Sequence, residues 1–158
     1  MLAWIVGLAL QSLPGPASAP STAEIERLQA CIAEAGPGGA VETCRGQVAS
    51  PCMAEPGGET RAGALACVRR ELSIWRGELT KAETALAAAL ETGHSPSRPQ
   101  AFQTAQQRWR AFMEAECAQQ SLLFEGGSYE ANLVADCVLR LISERAVMLQ
   151  DQLGELEG

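Results

Sequence analysis

Six cysteines are the residues of this 158-residue chain with the most obvious chemistry. Thiols can bind zinc, act as nucleophiles or form disulfides. A zinc site is disfavoured, because the chain has no Cys-x-x-Cys pair and its single histidine, His94, lies beside Pro96 in a predicted loop. An even number of cysteines is typical of disulfides in an exported protein. The six are Cys31, Cys44, Cys52, Cys67, Cys117 and Cys137.

Glycine clusters between the cysteines indicate how they pair. Six cysteines allow fifteen pairings, and composition alone cannot choose among them. Cys31 and Cys44 each lie five residues from a glycine cluster at residues 36–39, and a second cluster at residues 56–58 separates the next two cysteines. Cys117 lies nine residues before the glycine pair at 126–127, and Cys137 lies ten residues after it. Equal offsets from a turn bring two Cβ atoms within disulfide reach. We therefore predict the sequential pairs Cys31 with Cys44, Cys52 with Cys67, and Cys117 with Cys137.

The remaining polar residues give weak signals for catalysis. His94 has no nucleophile motif around it and is better explained as a solvated loop residue. Two carboxylates could act together in glycoside hydrolysis, but solvated helix faces or ion pairs with Arg110 account for them better. We predict no catalytic, metal-binding or cofactor-binding residue, and a protein that is not an enzyme. The carboxylates considered are Glu114, Glu116, Glu125 and Asp136.

Charge and composition indicate a single acidic domain. Nineteen acidic against twelve basic residues give a net charge of −7, which disfavours nucleic acid as a partner. The uncharged residues 1–19 contain an apolar run followed by small residues, which predicts a signal peptide. The run is too short for a membrane span, which needs about 20 apolar residues. We expect residues 20–158 to form a single domain without a membrane span, located in the periplasm or secreted.

Hydrophobic periodicity predicts helices and no strand. Ser21 and Glu24 have the spacing of a capping box, so a first helix begins there and ends at the glycines from Gly36 onward. Apolar residues at intervals of three and four predict a long helix over residues 61–91. They are Leu65, Val68, Leu72, Trp75, Leu79, Ala82, Leu86 and Ala89.

The rest of the chain completes an all-α bundle of about four helices with disulfide-braced turns. Residues 40–48 form at most a short helix, residues 50–60 are a predicted loop, and prolines make residues 92–99 a connection. Two further helices follow, one ending near Gly126 and one over residues 134–156. The apolar residues of the predicted helix over residues 61–91 could form a coiled-coil dimer, but packing within one bundle suits them better. Core packing is also the favoured role of Trp75 and Trp109 over ligand stacking.

Several segments together resemble the lysozyme inhibitor LprI-like N-terminal domain family. That family shows an Ala-Gln-x-x-Trp segment leading to a cysteine, a Gly-Gly loop with a second cysteine after it, and an upstream Cys-x-x-x-Glu-x-x-x-Trp sequence. The matching residues here are Ala105 to Cys117, Gly126 to Ser128, Cys137 to Arg145, and Cys67 to Trp75. The resemblance implies a small exported helical protein with structural disulfides.

The resemblance also leads to two hypotheses about function. The first is a protein-binding module, acting on a cationic lysozyme by steric occlusion. The alternative is a structural or envelope-stress protein with another partner. Tyr129 follows a glycine turn between two cysteines, where it is either a simple helix-start residue or a rigid contact for a partner. The candidate partner-binding residues are Gly126, Gly127, Ser128 and Tyr129.

Overall fold

A computed structural model describes residues 19–36, 39, 41–92, 95, 97–122, 124 and 126–157. The described part is helical and contains no strand, which confirms the all-α prediction. Most of the predicted signal peptide, and His94, lie outside the described residues. The helices are α1 (Thr22–Ala35), α2 (Val41–Cys44), α3 (Ala49–Met53), α4 (Arg61–Glu91), α5 (Arg98–Leu122) and α6 (Glu130–Glu157).

Local signals in the sequence fix the ends of α1. The Ser21 hydroxyl accepts a hydrogen bond from the backbone N–H of Glu24, and the Glu24 carboxylate accepts one from the backbone N–H of Ser21 at 2.7 Å. This is the predicted capping box. The helix ends at Gly36, whose φ of 64° is unfavourable for residues with a side chain.

The apolar stripe of α4 forms the centre of the core. Its helix is continuous from Arg61 to Glu91 and packs most extensively along α6. Because α5 packs on α6 and, less extensively, on α4, the three long helices form the bundle, and the shorter helices pack against it. Trp75 is fully buried, in agreement with its predicted role. The stripe buries Val68, Leu72, Trp75, Leu79, Ala82 and Leu86.

The prediction of a loop over residues 50–60 is wrong at its start. Helix α3 occupies Ala49–Met53 and contains Pro51. Proline is tolerated in the first turn of a helix, where its missing N–H would have no intrahelical acceptor. Pro99 in the first turn of α5 follows the same rule, and α5 begins at Arg98, within the predicted connection.

Three disulfides join neighbouring helices in the sequential pattern. Cys31 is bonded to Cys44, Cys52 to Cys67, and Cys117 to Cys137, each with a Cα–Cα distance of 5.6 Å. They link α1 to α2, α3 to α4, and α5 to α6 respectively. Each disulfide therefore joins consecutive helices.

Candidate functional site

The turn between α5 and α6 is built from backbone hydrogen bonds. The N–H of Gly127 donates to the carbonyl of Phe124 at 2.8 Å, and the N–H of Glu130 donates to the carbonyl of Gly127 at 3.2 Å. Gly126 has a φ of 76°, and a Cβ at Gly127 would lie 2.7 Å from the Phe124 carbonyl oxygen. Both glycines are therefore needed for this tight reversal.

Two tertiary links hold the base of this turn. The Cys117–Cys137 disulfide joins the last part of α5 to the first part of α6. The buried Asn132 side chain donates from Nδ2 to the carbonyl oxygen of Arg61 at 3.1 Å, which ties the start of α6 to the start of α4. The disulfide thus fixes the start of α6 to α5, and the Asn132 hydrogen bond fixes it to α4.

Three large apolar side chains are exposed around the turn. Phe124 is 55% exposed, and Leu122 and Tyr129 are also largely open to solvent. The predicted residues Gly126 to Tyr129 are all exposed, and the carbonyl of Tyr129 accepts hydrogen bonds from the first turn of α6. Leu122 and Phe124 were not predicted as site residues, although they belong to an apolar run that ends one residue before the Gly-Gly pair, which was a usable signal.

The carboxylates considered for catalysis have other surroundings. Arg110, which was considered as their ion-pair partner beside simple solvation, faces α4 and donates to both carboxylate oxygens of Glu83 at 2.8 and 2.7 Å. Glu114 is exposed, as expected for a solvated carboxylate. Glu116 accepts a hydrogen bond from the Nε2 of Gln120. Partial desolvation raises the pKa of Asp136 above its ordinary value, although the residue is exposed. Glu125 lies outside the described residues, and the contacts of the described carboxylates give no indication of a paired general acid and base.

Glu71 is a buried carboxylate with four donors. Its Oε1 accepts from the backbone N–H of Gly46 at 2.7 Å and from Trp75 Nε1 at 3.1 Å. Its Oε2 accepts from the N–H groups of Val48 at 3.0 Å and Ala49 at 2.8 Å. Since Val48 has no polar side chain to cap α3, the carboxylate from α4 does so. Glu71 therefore holds the segment between α2 and α3 against the bundle.

A second polar cluster joins α5 to α6 around Arg145. Its Nε donates to Gln106 Oε1 at 3.1 Å, and its guanidinium lies 5.6 Å from the centre of the Trp109 ring. Desolvation by burial lowers the pKa of Arg145, while the nearby negative charge of Glu83 acts in the opposite direction. Gln106 and Trp109 belong to the Ala-Gln-x-x-Trp segment, so this part of the motif has a packing role.

The described part of the chain lacks two other kinds of site. No three His, Cys, Asp or Glu side chains there are grouped so that they could hold a metal ion. No described helix combines the length and the apolar character needed to cross a membrane.

Comparison with known proteins agrees with the resemblance drawn from the motifs. A family model described as lysozyme inhibitor LprI matches residues 52–149, which is more than half of the chain. No curated protein and no solved structure matches the chain. The match includes Glu71, Gln106, Trp109 and the α5–α6 turn, whereas α1 and α2 precede it. The chain belongs to the lysozyme inhibitor LprI family.

Proposed function

We propose that this protein is an exported inhibitor that binds a cationic lysozyme through the α5–α6 turn and blocks the enzyme by occlusion. The membership of the LprI family carries this proposal. The protein partner follows from the family, whereas the choice of lysozyme and of this turn is ours. No step of covalent chemistry is involved.

The exposed side chains of the turn support it as the contact surface. Binding energy in protein interfaces is concentrated in a few large side chains, among which tyrosine is enriched. Phe124 and Tyr129 have this character, and both lie within a reversal attached to the bundle by a disulfide and by Asn132. A turn held in this way loses little conformational entropy on binding.

Charge supports a cationic partner. The net charge of −7 attracts a positively charged enzyme, and such attraction raises the association rate more than the final affinity. Added salt screens this attraction, with a Debye length that falls from about 30 Å at 0.01 M to about 8 Å at 0.15 M. Inhibition through this surface should therefore begin faster at low ionic strength.

Location follows from the same proposal. Disulfides persist in oxidising compartments, and three are formed here. We place the protein outside the cytoplasm, in the periplasm or secreted, with residues 1–19 as the signal peptide and 20–158 as the mature domain. Mass spectrometry of material recovered from the envelope and the medium tests this division, and an intact residue 1 in exported protein would contradict it.

The decisive experiment is an inhibition assay with matched variants. Oxidised protein is mixed with lysozyme, and cell-wall clearing is followed at low and at physiological salt. We expect Phe124→Ala and Tyr129→Ala each to weaken inhibition about tenfold, the loss expected for an interface hot spot. Phe112→Ala is the control, since Phe112 is 54% exposed but lies on α5 away from the turn.

The outcomes separate the inhibitor from the structural or envelope-stress alternative. No inhibition by excess oxidised protein at low salt would refute the lysozyme proposal. Capture of another envelope protein, with lysozyme unaffected, would favour the alternative. Inhibition that is equally weakened by Phe112→Ala would retain lysozyme as the partner but reject the turn as the contact surface.

A further inference from the structure

A groove lies between the second half of α4 and the first half of α5, away from the α5–α6 turn. Its volume is about 530 Å³. Small-molecule sites in proteins usually measure about 300–1,000 Å³. The α4 wall carries alanines and Glu91, and the α5 wall carries Phe102, Gln103, Gln106 and Gln107. The groove thus has the size of a ligand site and a mixed apolar and amide lining.

Gln106 is the residue that makes this groove unusual. The side chain is only 4% exposed, and its Oε1 accepts from Arg145 Nε at 3.1 Å. Because arginine can only donate, this bond fixes which end of the amide is the oxygen. The buried Nε2 then has no acceptor among the described residues. Such an unpaired buried donor is unfavourable. Because Nε2 is closed to solvent in this arrangement, an acceptor oxygen on a ligand satisfies it only when the Gln106 side chain turns toward the groove.

The other lining residues suit a ligand with hydroxyl groups. The carboxamides of Gln103 and Gln107 are exposed at the groove, and each can donate and accept, as a sugar hydroxyl does. Phe102, Ala87 and Ala88 provide apolar surface beside them. A ligand with a small apolar group next to polar groups would match this arrangement.

Charge in the groove disfavours an ionic ligand. Arg110 lines it, but both oxygens of Glu83 accept hydrogen bonds from its Nη2, so this cation is already paired. Glu91 adds a negative charge, which opposes an anion. A cation could not use the N–H groups of Gln106. The ligand class that fits the groove is therefore a neutral molecule with a carbonyl acceptor.

We propose that the α4–α5 groove binds an N-acetylated amino sugar, whose acetamido carbonyl accepts from Gln106 Nε2 and whose methyl group packs against Phe102 and the alanines. Gln103 and Gln107 would contact the ring hydroxyls. This function goes beyond lysozyme inhibition and does not depend on it, because the groove and the α5–α6 turn are different surfaces.

The test is an NMR titration of the oxidised, ¹⁵N-labelled protein. The probes are N-acetylglucosamine, its β-1,4-linked trimer, glucose, and N-acetylalanine amide as an uncharged peptide mimic. We expect both acetamido sugars to shift the side-chain amide of Gln106 and the backbone amides around Phe102. Glucose lacks the acetamido group and should leave them unchanged.

Two matched substitutions sharpen the result. Gln106→Glu keeps an oxygen for Arg145 but replaces the N–H donors, and we expect about tenfold weaker binding of the trimer. Gln119→Glu makes the same change at an exposed position of α5 outside the groove and should leave binding unaltered. If Gln106→Glu does not fold, Ala88→Leu tests the same surface, because Ala88 is exposed and the larger side chain fills the groove.

Four results would overturn the proposal. They are equal shifts with glucose, shifts confined to residues outside the groove, full binding by the folded Gln106→Glu variant or by Ala88→Leu, and tighter binding of the peptide mimic than of the trimer. Each of them can occur whether or not the protein inhibits lysozyme, so the two proposals fail separately.

Discussion

Replacing Glu71 by glutamine should be one of the most destabilising conservative changes in this protein. Glu71 is fully buried, and its two oxygens accept four hydrogen bonds, three of them from the backbone between α2 and α3. Glutamine has nearly the same shape but only one acceptor oxygen. Its NH₂ group must then face backbone N–H groups that need an acceptor.

The expected loss in the free energy of unfolding follows from the number of hydrogen-bond donors that lose their acceptor. Whichever way the amide is turned, two of the four donors lose their acceptor, and hydrogen bonds to a charged group contribute about 1.5–3 kcal/mol each. Rearrangement of the segment offsets part of this loss. We therefore expect the free energy of unfolding to fall by about 3–5 kcal/mol, the usual effect of breaking a buried charged network. Domains of this size are stable by only about 5–15 kcal/mol.

Glu78 provides the matched control on the same helix. It is also buried, but its Oε1 alone accepts both side-chain hydrogen bonds, from Gln29 Nε2 and Lys81 Nζ at 2.8 Å each. A glutamine oxygen can retain these contacts. We expect Glu78→Gln to lower the free energy of unfolding by about 1 kcal/mol or less.

Urea denaturation of the oxidised proteins at pH 7 measures both effects through the midpoint and slope. Equal losses of stability for Glu71→Gln and Glu78→Gln would show that the backbone donors of the α2–α3 segment are satisfied without Glu71. The predicted role of Glu71 as their acceptor would then be wrong. A changed slope would indicate altered denatured-state compactness, and the comparison would be repeated by calorimetry.

Three other predictions concern the disulfides, the first helix and a glycine. Replacing Cys117 and Cys137 together by serine should lower stability by about 3 kcal/mol, measured in urea, because the bond closes a loop with a separation of 20 residues. Partial burial raises the pKa of Glu24, but hydrogen bonds from Ser21 and the Arg70 side chain outweigh it and leave that pKa below 4.5. Glu24→Gln should therefore lower the melting temperature above pH 4.5, with the difference disappearing as the pH falls below that value. Gly63→Ala should lower the melting temperature, since its Cβ would overlap the carbonyl oxygen of Gly57.

Local sequence signals account for much of the fold. The capping box at Ser21 and the three-and-four spacing of α4 act between near neighbours in the chain, so they can be identified without tertiary information. The positions of the cysteines on either side of the glycine clusters also predicted the observed disulfide pairs, since each pair brackets one cluster. In contrast, α3 depends on a cap from Glu71, more than twenty residues away, and the local prolines and glycines predicted a loop.

The candidate sites could be predicted only in part, because some of their features depend on contacts between residues that are distant in the sequence. Tyr129 could be identified because the turn that carries it is a local feature. The α4–α5 groove exists only when two helices pack, and Gln106 is unusual only because Arg145 of α6 occupies its oxygen. The Ala-Gln-x-x-Trp segment distinguishes Gln106 from Gln103 and Gln107, but it does not show that its Nε2 lacks an acceptor.

Three buried polar residues within the part of the chain matched by the family model connect helices to one another. Glu71 connects α4 to the α2–α3 segment, Asn132 connects α6 to α4, and Gln106 connects α5 to α6. Removing any of them leaves a partner unpaired in the interior, which constrains these positions whatever the protein binds. The exposed side chains of Phe124 and Tyr129 carry no such constraint from packing. On our proposal, in which the α5–α6 turn binds the partner, the contact residues can change while the buried network stays the same.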